Sequence, residues 1–77
     1  MDREAEVRRL NLADKHIANA ERAITRQRAV LAKVEAQGYD SARFEKELRD
    51  FEAALTQIQN HRQEIVRTIE QIDAGLI

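Results

Sequence analysis

Residues 44–72 read FEKELRDFEAALTQIQNHRQEIVRTIEQI, and large apolar side chains recur along them at steps of four and three. This heptad spacing keeps one side of an α-helix against a partner helix over many turns. At ~1.5 Å per residue the apolar side is roughly 40 Å long, so the partner helix must be long as well. The apolar positions are Phe44, Leu48, Phe51, Leu55, Ile58, Ile65, Ile69 and Ile72.

The first half of the chain supplies such a partner. Large apolar residues recur there at intervals of seven, and mostly small residues follow each of them three positions later. Ala13 and Ala20 allow close approach by a helix with bulkier side chains, so large residues face small ones. The large residues are Leu10, Ile17, Ile24 and Leu31, and together with the eight apolar positions of the second half they form the predicted association seam.

The break between the two seams falls at residues 37–41, QGYDS. Gly38 can adopt the left-handed backbone that ends a helix without a Cβ penalty. Asp40 or Ser41 can cap the next helix. A connection this short brings the second helix back antiparallel. Heptad pairing then allows two registers, in which opposed residue numbers add up to about 75 or about 82.

The sequence therefore predicts an all-α fold, an antiparallel two-helix coiled-coil hairpin in a single domain. Its predicted parts are a helix over about 2–37, a turn at 38–40 and a helix over about 41–73, within a domain of residues 1–77.

The apolar stripe is wider than a simple two-stranded coil requires. Extra apolar residues flank the seam at Val7, Ala23, Val30, Ala54 and Val66. We expect a homo-oligomer, with a dimer favoured, in which two hairpins pair into a four-helix bundle. A hairpin that binds another helical protein is the alternative.

Two polar residues occupy core positions of the seams, Gln27 in the first and Arg62 in the second. A long side chain can pack its stem while its polar head reaches the surface. Alternatively, a polar layer can fix the register or the number of partners at some cost in stability. Both residues are therefore possible specificity positions.

No constellation of residues indicates catalysis or a cofactor. Antiparallel folding places His16 and His61 at similar heights on one flank of the seam. A metal site needs three or four ligands, and the Glu-x-x-His motif of di-iron bundles is absent because Ala13 and Ile58 stand three residues before the histidines. We expect no enzyme activity, no cofactor and no metal, and two histidines that cover apolar surface.

Composition points to a cytoplasmic protein that binds neither membrane nor nucleic acid. Thirteen basic and fourteen acidic residues nearly cancel, there is no cysteine, and no apolar run approaches the ~20 residues of a membrane span. The expected function is a small structural or interaction module. The alternative is a small nucleic-acid-associated regulator that uses the basic side of helix 1.

The chain also resembles a group of short helical proteins of alpha-proteobacteria, of rhizobial type, to which no function is attached. The likeness covers roughly residues 12–65. It depends on KHIANAERAITRQR at 15–28, on GYD at 38–40, on FE at 51–52 and on HR at 61–62. The resemblance implies a bacterial setting.

Overall fold

The structure, a computed structural model, describes residues 2–77 as two long helices that pack against each other in an antiparallel hairpin. Helix α1 spans Arg3–Ala36 and helix α2 spans Ala42–Asp73. The hairpin measures 59 × 15 × 12 Å. The predicted all-α hairpin is confirmed. Helix α1 is one residue shorter than predicted at each end, and α2 begins one residue later and ends at the predicted residue. Met1, the first residue of the predicted domain, lies outside the described residues.

The start of α1 is fixed by a cap. The Asp2 carboxylate accepts a hydrogen bond of 3.0 Å from the backbone N–H of Glu4. Asp2 itself is extended, with φ −90° and ψ 107°, as expected of a residue that precedes the first helical turn. Glu4 and Glu6 place negative charge at the positive end of the helix dipole.

Gly38 ends α1 with a φ of +75°. Its N–H donates to the carbonyl of Glu35 at 3.0 Å, and the N–H of Tyr39 donates to the carbonyl of Val34 at 3.2 Å. These two bonds define a Schellman motif, which satisfies carbonyls that would otherwise lack a partner. Tyr39 is 69% exposed, so it adds little apolar cover to this turn.

Ser41 stands at the N-cap position of the next helix, but the side chain that caps the helix is that of Asp40, one of the two residues that the sequence allowed. The Asp40 carboxylate accepts from the N–H of Ala42 at 3.0 Å. The Ser41 hydroxyl instead donates to the carboxylate of Glu45. Gly75, with a φ of +73°, then ends α2 in a second Schellman motif.

The seam residues face the partner helix, but few are fully buried. Only Ala13, Ile24 and Ile65 form the buried apolar core of the described chain, at 4%, 5% and 4% exposure. Phe51 is 39% exposed, and the other nine residues of the seam are half-buried. Two helices in contact cover only one side of each seam, so the outer edges remain open to solvent.

Neither α1 nor α2 is long and apolar enough to cross a membrane.

Replacement of Gly38 by alanine should destabilise the hairpin by about 1–2 kcal/mol, because the left-handed backbone is costly for a residue with a Cβ. No atom lies within 4 Å of the added Cβ, so the cost comes from the backbone alone. Chemical denaturation at one fixed protein concentration measures it.

The matched control is Gly75→Ala, which has nearly the same φ but ends the last helix. At this end of the chain the strain can be relieved by fraying of the last residues. The free energy of unfolding should therefore fall by less than about 0.5 kcal/mol. Equal losses in the two variants would contradict the importance of the turn.

Candidate association surface

Two ion pairs across the helix interface show the register of the hairpin. Arg62 Nε lies 2.6 Å from a carboxylate oxygen of Asp14, and Arg3 Nε lies 2.7 Å from a carboxylate oxygen of Asp73. The residue numbers of each pair add up to 76. The structure therefore has the register near 75 and not the one near 82.

Arg62 combines the two behaviours that the sequence left open. It occupies a core position of the second seam, and its side chain is 38% exposed. The guanidinium reaches the edge of the interface and donates to Asp14 on the other helix. The residue that interrupts the apolar seam thus links the two helices at one height. Its role in specificity stays a prediction.

Gln27 makes the corresponding link near the turn. Its side-chain amide donates to the backbone carbonyl of Phe44 at 3.2 Å and to the Glu47 carboxylate at 3.1 Å. The carbonyl of Phe44 lies in the first turn of α2. Gln27 therefore ties α1 to the start of α2, and its contribution to specificity also stays a prediction.

Glu6 is a buried carboxylate that the seam prediction missed. It is 6% exposed and accepts a hydrogen bond from the guanidinium of Arg9. Glu6 stands seven residues before Ala13, so it continues the column of small and polar core positions on α1. An assignment of core residues from heptad position alone, without regard to apolarity, would have included Glu6.

His16 and His61 line one groove between the helices, as antiparallel folding predicted. The groove has a volume of about 320 Å³, and its walls are formed by Arg9, Leu12, Ala13, His16, Gln57, Ile58 and His61. Leu12 was not part of the predicted seam and is 53% exposed. We call this side of the hairpin the histidine face.

The histidine face continues toward the turn along the same heptad columns. Ala23 and Val30 follow His16 at steps of seven, while Phe51 and Ala54 precede Ile58 and His61 by seven. Val30 is 40% exposed, and Phe51 is 39% exposed. The face therefore presents a long apolar strip that no other part of the described chain covers.

The opposite side of the interface has a different chemistry. Its groove is lined by Glu21, Ile24, Thr25, Arg28, Glu52, Leu55 and Thr56. The ion pairs Asp14–Arg62 and Arg3–Asp73 border the same side. We call it the charged face, because acidic and basic side chains flank its apolar floor along most of its length.

The two histidines show no metal-binding arrangement within residues 2–77. No group of three or more His, Cys, Asp or Glu side chains is placed to hold a metal ion there. The nearest acidic group to a histidine is the carboxylate of Glu64, 3.9 Å from Nδ1 of His61.

Comparison of the chain with known protein families, curated proteins and solved structures gives no match. The resemblance to the alpha-proteobacterial proteins stays a prediction.

Removal of the Asp14 charge should loosen the polar link at Arg62. In Asp14→Asn the half-exposed Arg62 guanidinium keeps a hydrogen-bond acceptor but loses its ion pair, so we expect a loss of about 0.5–1 kcal/mol. Urea denaturation measures the free energy of unfolding. Glu21→Gln is the matched control, because Glu21 lies seven residues later and its side chain has no ion pair among the described residues. A larger loss in the control would contradict the role of this pair.

The pKa of Asp73 should be measurably low. The hydrogen bond and charge of Arg3 hold the pKa of this carboxyl below its ordinary value. Since the folded-state pKa is the lower one, the pair's contribution to stability is present above the ordinary aspartate pKa and is lost as the pH falls through the lowered value. An NMR titration of the side-chain carboxyl measures this pKa. Arg3→Ala should return it to the ordinary range, whereas Arg67→Ala should leave it low.

Proposed function

We propose that this chain is a small interaction module that acts by helix–helix association, with a second copy of itself as the favoured partner. The observation that supports the proposal is the large solvent-exposed surface of the hairpin. The hairpin exposes 5729 Å². A compact monomer of its mass, 8.9 kDa, exposes roughly 4,800 Å².

The excess, roughly 900 Å², is about the area that each partner buries in a standard protein–protein interface, ~800 Å². Three of the exposed large apolar side chains, Leu12, Val30 and Phe51, lie on the histidine face, which therefore supplies apolar area for such an interface. Water contact with this apolar area is unfavourable, so a partner that covers it stabilises the folded hairpin as well as the complex.

The arginines at the start of α1 give the nucleic-acid alternative no support, because each has a carboxylate beside it. Arg3 is bound to Asp73, Arg8 lies 3.9 Å from Asp2, and Arg9 is bound to Glu6. Guanidinium groups that are already paired with carboxylates are less available to phosphates. The proposal accordingly assigns binding of protein and no catalysis, and the cytoplasmic location stays a prediction.

Light scattering at micromolar concentration should give a mass near 18 kDa, about twice the 8.9 kDa of one chain. The dimer should persist between about 50 and about 500 mM NaCl, because apolar packing is not screened, whereas binding through phosphates weakens steeply with salt. A mass near that of one chain at every concentration, with a melting temperature independent of concentration, would contradict self-association.

Leu12→Gln should shift the equilibrium toward the monomer, because it places an amide in the apolar part of the interface. The matched control is Leu76→Gln, since Leu76 is 73% exposed in the tail after α2. Circular dichroism of both variants checks that the helices remain. Equal weakening of the dimer by both variants would contradict an interface that contains Leu12.

A further inference from the structure

We propose that the second copy binds on the histidine face, related by a two-fold axis parallel to the long axis of the hairpin, so that both turns lie at the same end. This inference deepens the proposed function and depends on it. It specifies the face, the partner and the orientation.

The choice of face follows from the chemistry of the two sides. The middle of the histidine face consists of alanines, Val30, Phe51 and two histidines. In the heptad columns next to the core, it carries no carboxylate or guanidinium between Arg9 on α1 and Glu47 on α2. The charged face has Asp14, Glu21 and Arg28 in the corresponding places. Burial of the charged face would desolvate these groups at high cost, whereas burial of the histidine face removes apolar area from water.

The two edges of the histidine face have opposite charge. On α1, the column of Leu12 continues at steps of seven through Asn19 to Arg26 and Lys33, which we call the basic edge. On α2, the column of Gln57 contains Arg43 near the turn and then Asp50 and Glu64, and we call its acidic part the acidic edge. A surface with one basic and one acidic edge is complementary to a rotated copy of itself.

The orientation follows from this asymmetry. A two-fold axis along the hairpin places the basic edge of each copy against the acidic edge of the other. A two-fold axis across the hairpin would instead place basic edge on basic edge and acidic on acidic, which is unfavourable. The parallel axis also makes every pair of neighbouring helices antiparallel, as in up-and-down four-helix bundles.

The register of the hairpin puts one pair of opposite charges from the two edges at the same height. Because opposed residue numbers add up to 76 in both ion pairs, Arg26 is level with Asp50 of the partner copy. The Asp50 carboxylate also lies 2.8 Å from Lys46 of its own helix, and its second oxygen can accept from Arg26. Near the open end, Arg9 is level with position 67, and the partner copy's Glu64 lies three residues, or ~4.5 Å, along the helix from there. At the turn, Lys33 is level with Arg43, whose own charge is paired with Glu47 at 3.1 Å.

Spin labels at the turn test the orientation. The chain has no cysteine, so Tyr39→Cys gives a single labelling site at a residue that is 69% exposed. With both turns at one end, pulsed dipolar EPR should give an inter-copy distance below about 35 Å, from helix spacings of 8–10 Å and the label linkers. Turns at opposite ends would lie near the 59 Å length of the hairpin, and that distance would overturn the proposed orientation.

Charge reversal tests the face. Arg26→Glu and Asp50→Arg should each weaken dimerisation roughly ten-fold, because each change alters two symmetric contacts. The double variant should return to within about three-fold of the original affinity, since it restores opposite charges across the interface. Sedimentation equilibrium measures the constants, and circular dichroism checks the helices of each variant.

Arg22→Glu is the matched control, because it makes the same charge change one turn earlier on the outer side of α1. It should leave the dimerisation constant unchanged. A dimer that is insensitive to both single reversals, or equally sensitive to the control, would overturn the histidine face as the interface while the proposed function stands. A monomeric parent chain would overturn both.

Discussion

The left-handed backbone of Gly38 is the constraint on which the other features depend. It ends α1 while two backbone hydrogen bonds satisfy the last carbonyls, and it turns the chain so that Asp40 caps the next helix within a few residues. So short a connection leaves little freedom to slide one helix along the other. The links at Gln27, Asp14–Arg62 and Arg3–Asp73 then occur in order from the turn to the open end, and they hold one register over the full length of the hairpin.

This geometry also explains why the hairpin is incompletely buried. A helix that touches one neighbour can hide only the residues that point directly at it, and here these are Glu6 and the alanine and isoleucine positions near the centre line. Residues at the next positions around the helix stay half in water. The sequence makes the two sides unequal, since two carboxylates and a guanidinium border one groove, while the other is bordered by two histidines and has Arg9 as its one charged residue. The difference in desolvation cost between these sides is the basis for assigning a partner to one of them.

Much of the fold could be predicted from the sequence because local signals agreed with one another. The heptads and Gly38 both indicated the same hairpin. The site was less predictable. Glu6 was not predicted because a charged residue in a core column does not contribute to an apolar pattern. Leu12 was not predicted because it lies two heptad columns away from the seam. Arg43 and Lys46 bind acids on their own helix, at 3.1 and 2.8 Å, and not groups on α1. Four-residue spacing within a helix offers such partners before any tertiary contact forms.

The ion pair between Arg3 and Asp73 keeps the beginning of α1 beside the end of α2, far from the turn. The beginning of α1 and the end of α2 therefore lie together at one end of the rod-shaped hairpin. Spliced into a surface loop of a host protein, it would need no long linkers, because the two junctions are already neighbours. It would project its turn nearly 59 Å from the host and display both faces along the way. In that setting the rod is a rigid arm, and the association of two such arms would hold two host molecules together at a fixed spacing.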